Sequence, residues 1–267
     1  MVEKYFDLID RFECDQIYIL TDVIGGGVPV IPSLAGLKDF SRIKYLSFLG
    51  DYQKNKSSGV PIQELLQPFK NLEGLSLVGC NFGCELNVRF PYLKYCRLDR
   101  RCVKIRDIQD KFPALKSMCI DYLSDLSELG GHDSLETLFL YGAKLSDLEA
   151  VCEFKTLDTF YIEGQRRTLD VSVLNCLHRL ETLGVDSTKF HLGWDKLKID
   201  NIKNIFVSKI ETTDVVDNNM SLEFFRVRKQ PATVTQGALD KGWERYETSG
   251  YGFGGLALPK ALLAGAR

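Results

Sequence analysis

Apolar and polar residues alternate along this chain in short bursts that return at a nearly constant interval. The clearest burst is Leu135-x-x-Leu138-x-Leu140, followed by Leu145, Leu148 and Val151. Apolar positions at that spacing predict a short strand with one buried face, and the later ones a return segment that turns back beneath it. The same pattern begins at Cys14, Ile43, Leu72, Leu93, Leu115, Leu135, Leu157, Leu180, Ile202 and Leu222. Consecutive copies start 20–29 residues apart. A strand plus a return segment cannot bury its apolar side alone, so units at this interval are expected to stack into a solenoid. The expected fold class is α/β, a horseshoe with a parallel β-sheet on its concave face and short helical or irregular segments on the convex side.

The pattern also divides the chain. Residues 1–13 read as an N-terminal cap in which Tyr5 to Phe12 cover the first strand, residues 14–230 as the repeats, and residues 231–267 as a C-terminal cap or tail. Trp243, Tyr246, Tyr251 and Phe253 are the candidate capping side chains. The first two units are longer than the rest. The three glycines from Gly25 lack the spacing and the Lys of a phosphate loop, and Pro29 follows, so Gly25 to Leu37 reads as a turn. Asp51 to Gly59 reads as a polar loop, and IQELLQPF as a short helix ending near Pro68. Ser-Asp before Leu126 and before Leu148 suits the start of a helical turn.

Strand alternation sends the fourth and sixth pattern positions into the core and the third, fifth and seventh outward. Outward aromatics are Tyr95, Phe139, Tyr141, Tyr161 and Phe206. The seventh-position column carries an acidic stripe of Asp99, Asp121, Glu163 and Asp186, with Arg97 beside it. Aromatic anchors ringed by charge are the composition of a protein interface, and the acids point to a partner with a basic contact surface. These ten residues are the candidate partner-binding face.

The repeats resemble the leucine-rich repeat superfamily over about residues 12–229, and the central unit is most similar to the 22-residue subclass of internalins and related intracellular proteins. The resemblance implies a protein-binding module that uses its concave sheet. The family usually places Asn or Cys at the ninth pattern position, where it bonds the backbone turn. Cys80 matches here. Asp22, Asp51, Ala143, Gln165 and Thr188 occupy that position in other repeats, so irregular turns are expected.

Composition narrows the function further. A net charge of −2 gives no reason for general attraction to nucleic acid or membranes. No apolar run approaches the roughly 18 residues of a membrane span, and the N-terminus lacks a secretory pattern. The eight cysteines form no C-x-x-C pair, and Cys14 and Cys96 stand at core positions, so free thiols in the cytoplasm are expected, with no metal and no cofactor. Arg100, Arg101, Lys104 and Arg106 form a basic cluster read as a solvated rim. GGHDS at Gly130–Ser134 reads as a loop, because sequence-adjacent His, Asp and Ser do not make a triad. The expected function is therefore a non-enzymatic protein-interaction module, in its sharper form an inhibitor or immunity-type protein. The alternatives are a scaffold for an effector or enzyme activity involving residues 231–267, and RNA binding through the basic rim.

Overall fold

The computed structural model describes residues 15–21, 39–50, 62–79, 84–101, 103–187, 189, 191–212, 214–229, 244–247 and 254–257. The N-terminal cap, Cys14, the Gly25 to Leu37 turn, the Asp51 to Gly59 loop, Cys80 and most of residues 231–267 lie outside them. The chain forms two compact units, Met1–Tyr122 with Glu128–Leu135 and Leu123–Ser127 with Glu136–Arg267.

The first unit contains β1 (Gln16–Thr21), β2 (Tyr45–Gly50), β3 (Gly74–Val78), β4 (Cys84–Glu85), β5 (Tyr95–Asp99), β6 (Val103–Lys104) and β7 (Ser117–Asp121). Strands β1, β2, β3, β5 and β7 pair in parallel in that order. The equivalent residues of the sequence pattern are partners: Gln16 with Tyr45, Tyr45 with Gly74, Gly74 with Tyr95, Tyr95 with Ser117. The second unit contains β8 (Thr137–Tyr141), β9 (Thr159–Gln165), β10 (Thr182–Ser187), β11 (Asn204–Lys209), β12 (Phe224–Lys229), β13 (Glu244–Glu247) and β14 (Gly254–Ala257). Strands β8 to β12 pair in parallel, with Thr137, Thr159, Thr182, Asn204 and Phe224 in one row. Strand β14 then pairs antiparallel with β12 and with β13.

This is the leucine-rich-repeat type of α/β fold read from the sequence. Each of the ten repeat strands begins at the third position of its pattern. The alternation is visible in burial. Leu138, Leu140, Phe160 and Ile162 are fully buried, and the residues between them are half-buried. Each such apolar side chain contributes on the order of 1.5–3 kcal/mol through burial. The return segments are short: helices Ile62–Leu66, Ile108–Lys111 and Asp214–Asn218, and single 3-10 turns elsewhere. The Ser-Asp signals act as expected. The Asp125 carboxylate accepts from the Ser127 N–H, and Asp147 from that of Glu149. Asp39 and Asp170 do the same for Ser41 and Ser172.

One column went unread in the sequence. The residue three places before the strand pattern is Phe in five repeats: Phe40, half-buried, and Phe69, Phe90, Phe112 and Phe154, all buried. In two repeats the same place holds a polar side chain, His132 and Asn219, at 1% and 2% exposure. Each reaches at least one backbone group of the preceding repeat. The His132 ring lies 2.9 Å from the Phe112 carbonyl through Nε2, and its Nδ1 accepts from the Ser134 N–H. Asn219 accepts from the Ile199 N–H and donates to the Leu197 carbonyl.

The ninth-position substitutions also have a structural answer. Gln165 is buried and donates from Nε2 to the Leu145 carbonyl. The Ser187 hydroxyl donates to the Gln165 carbonyl, and the Ser208 hydroxyl to the Ser187 carbonyl. Three different side chains thus build one continuous ladder down the turns. They align because β9 carries an extra residue: Ser187 pairs with Gln165 although Asp186 pairs with Glu163. The extra residue is Gly164, at φ +75°, where a Cβ would stand 3.1 Å from the Gly142 Cα. Ser208, expected outward at the seventh position, is buried, its hydroxyl accepting from the Ser187 N–H and donating to the Ser187 carbonyl.

One expectation needs correction. Cys152 and Cys176 are not free thiols. They form a disulfide between consecutive return segments, Glu149–Glu153 and Val171–Cys176. Among the described residues Cys96, buried in the core as expected, and Cys119 remain as free thiols.

Candidate functional site

The sheet face left open in each unit carries a hollow at a glycine. In the first unit, Gly74 stands between Tyr45 and Tyr95, and the Tyr45 ring fills the space a Gly74 Cβ would take, 2.6 Å from that position. The hollow has a volume of about 390 Å³ and is lined by Tyr45, Ser76, Tyr95, Arg97 and Cys119 among others. Tyr95 is exposed, as the alternation required. Arg97 is exposed as well, and its guanidinium pairs with Asp121 at 3.3 Å.

The acidic stripe does not face outward here. Asp99 is fully buried and Asp121 is 7% exposed. Asp99 folds back under its own turn, accepting from the Arg101 backbone N–H and pairing with the Arg101 guanidinium at 2.8 Å. Asp99 ends its strand within reach of the turn N–H groups and is captured there, whereas Asp121 turns to the Arg97 guanidinium. Burial raises the Asp121 carboxyl above its ordinary value, with Arg97 working against it.

These contacts also consume the basic cluster. Arg101 lies over the Tyr122 ring, 3.6 Å from its centre, as well as on Asp99. Arg100 is largely buried and paired with Glu128. Two of the four cations proposed for a rim are therefore structural.

Cys119 lies in the first hollow, but burial pushes its thiol up to about 11, with Arg97 opposing and Asp121 adding to the rise. At neutral pH it is a thiol and not the reactive thiolate.

In the second unit, Phe139 and Tyr161 are neighbours on β8 and β9, with ring centres 5.7 Å apart. Phe206 on β11 meets Phe224 on β12 at 5.4 Å. Between them β10 carries Gly184, the register partner of both Tyr161 and Phe206. The Tyr161 ring lies down into the gap, so close that a Gly184 Cβ would fall 1.8 Å from its Cδ2. The result is a hollow of about 380 Å³ lined by Phe139, Thr159, Tyr161, Thr182, Asp186, Phe206 and Arg226, with the buried Val207 and Ser208 below. Tyr141, the last residue of β8, and Glu163, two residues beyond Tyr161 on β9, are register partners. Burial raises the Tyr161 hydroxyl above its usual value, and Asp186 and Glu163 reinforce this while Arg226 opposes it.

The structure thus gathers Phe139, Tyr141, Tyr161, Glu163, Asp186 and Phe206 on one face of the second unit, and Tyr95 and Arg97 on the open face of the first. Gly184, Thr159, Thr182 and Arg226 were missed. The signal for Gly184 was a glycine in a column whose neighbours on both sides are aromatic.

The histidines are structural. His178 is the exception, exposed, with its carbonyl accepting from the Asn201 side chain. His191 is 6% exposed and accepts the Leu169 N–H on Nδ1 at 3.0 Å. Burial pushes it down to about 4. Its folded value lies below the unfolded one of about 6.5, so the unfolded chain takes up the proton first as pH falls. Stability should therefore be flat above pH ~6.5 and fall by about 3 kcal/mol between there and pH ~4 through this group. In urea titrations His191→Asn, which keeps an acceptor for Leu169, should remove that part of the decline. An unchanged pH profile would show that His191 does not titrate in this range.

No group of His, Cys, Asp and Glu among the described residues is arranged to hold a metal ion. No helix among them is long and apolar enough to cross a membrane. No family model matches the chain, and no curated protein matches it. Among solved structures, that of an internalin from Listeria monocytogenes aligns with 83% of this chain and 81% of its own, at 12% identity and a TM-score of 0.32. No function is transferred from a match of that identity and score.

Proposed function

We propose that this protein is a non-enzymatic protein-binding module, and that the open face of its second unit is the docking surface. The hollow where Tyr161 lies over Gly184 between Phe139 and Phe206 carries this reading. Clustered aromatic side chains around a concavity, with charge at the edge, are the composition of a binding hot spot. With Asp99 and Asp121 engaged inside the first unit, the electrostatic preference for a basic partner rests on Glu163 and Asp186. An inhibitor or immunity-type role, covering a basic region of an effector, is the sharper form. The strand starts of the second unit, 137, 159, 182, 204 and 224, recur at 22, 23, 22 and 20 residues, which favours the 22-residue repeat subclass. The RNA alternative is weakened because Arg100 and Arg101 are already paired.

The test is capture of partners from native lysate on immobilised protein. A Phe139→Ala/Tyr161→Ala variant and a control at exposed Glu153→Ala are run beside wild type. A protein held by wild type and control, and lost roughly tenfold or more by the aromatic variant, is the expected result. Equal capture by all three would remove the docking face from this surface.

A further inference from the structure

The second unit's hollow has a charge arrangement that selects among partners. Glu163 on β9 and Asp186 on β10 are register partners, placed directly opposite each other on neighbouring strands. Like charges in that position repel. A cation seated between them relieves the repulsion, and the rings of Phe139 and Tyr161 beside them add a face for it. Arg226 lines the other end of the hollow from β12, two strands beyond Asp186. At about 4.8 Å per strand the two ends are roughly 10 Å apart, the span of about three residues of extended chain. The stretch between them is uncharged: Phe206 and the Tyr161 ring lying over Gly184, with the Thr182 side chain.

Resting on the docking face proposed above, we propose that this hollow holds an extended segment of the partner protein laid across the strands. A lysine or arginine of that segment sits between Glu163 and Asp186, and an aspartate or glutamate about three residues away meets Arg226. Glu163, Asp186 and Arg226 each have an interaction in the free protein. Binding therefore exchanges existing contacts and does not satisfy empty ones. The occupant is a segment carrying both signs of charge, not a uniformly basic surface.

The experiment pans a displayed library of random heptapeptides on the full-length protein, in wild type, Asp186→Lys, Arg226→Glu and Gly184→Val forms. The unfolding midpoint of each form is measured in parallel. Wild type should enrich peptides with Lys or Arg about three residues from Asp or Glu. Asp186→Lys should lose the cation from its selected set, and Arg226→Glu the anion. A wild-type peptide should bind Asp186→Lys at least roughly tenfold more weakly. Gly184→Val displaces the Tyr161 ring and should abolish selection. If wild type and Asp186→Lys enrich the same peptides, or peptides without paired charges, the proposal is overturned while the docking face stands. If no form enriches a peptide over bare support, the segment-binding proposal is overturned, and the lysate capture decides the docking face separately.

Discussion

Asn219→Leu should lower the unfolding free energy by about 4 kcal/mol, more than a typical core substitution of similar volume. The reason lies in the segment Asp195–Ile199, which forms no helix or strand and yet is packed within the second unit. Its backbone groups are answered from both neighbouring repeats. From one side, Asn175 donates to the Lys196 carbonyl at 3.0 Å and accepts from the Lys198 N–H at 2.7 Å. From the other, Asn218 donates to the Asp195 carbonyl, and Asn219 serves Leu197 and Ile199. Asn219 also donates to the Val215 carbonyl of its own helix. Leucine would fill the space but leave the Leu197 carbonyl and the Ile199 N–H buried without partners, at about 1–3 kcal/mol each. Asn218→Ala supplies the comparison. It removes the same kind of bond at a more exposed place, where water replaces it, and should cost about 1 kcal/mol or less. Urea unfolding of the two variants measures the difference. Equal effects would mean that Asp195–Ile199 draws no special support from Asn219.

The asparagines show where sequence reading stopped. The strands were legible because a period-2 burial pattern recurring ten times has no competing explanation, and the third-position column predicted register pair by pair. The turns were not legible by residue type. The family's ninth-position rule looks for Asn or Cys, whereas this chain builds the ladder from Gln165, Ser187 and Ser208, and Gln165 comes level with Ser187 only because Gly164 is an inserted residue. A one-residue bulge shifts which pattern position does the work, and spacing alone does not reveal it. Outward and inward failed in the same place. Asp99 and Asp121 obey the alternation in number but sit where the strand gives way to a turn, and nearby donors capture them. The aromatic face survived because Phe139, Tyr161 and Phe206 occupy mid-strand fifth positions, where the pleat dictates direction. The hollow itself required three dimensions: a glycine column entry becomes a site only when a neighbouring ring lies over it.

Removing the Cys152–Cys176 bridge should cost about 3 kcal/mol. The two residues are 24 apart in sequence, and closing a loop of that size restricts the unfolded chain by about that amount. For a chain of this length the melting temperature of Cys152→Ala/Cys176→Ala should fall by roughly 6–12 °C. Dithiothreitol should bring wild type to the same level and leave the variant unchanged. Alkylation of the denatured, unreduced protein followed by peptide mass mapping tests the bridge directly: Cys96 and Cys119 should be labelled, Cys152 and Cys176 found joined. Labelling of all four would restore the free-thiol reading. The expectation of a cytoplasmic protein rested on unpaired cysteines, since reducing compartments keep thiols open, and a bridged pair withdraws that premise. The bridge also bears on binding. The segments it joins lead into β9 and β10, the strands that set Tyr161 over Gly184 and Glu163 beside Asp186. Tying them together fixes the spacing of the two strands from behind, so a reduced protein should hold a selected peptide more weakly even at temperatures where it remains folded.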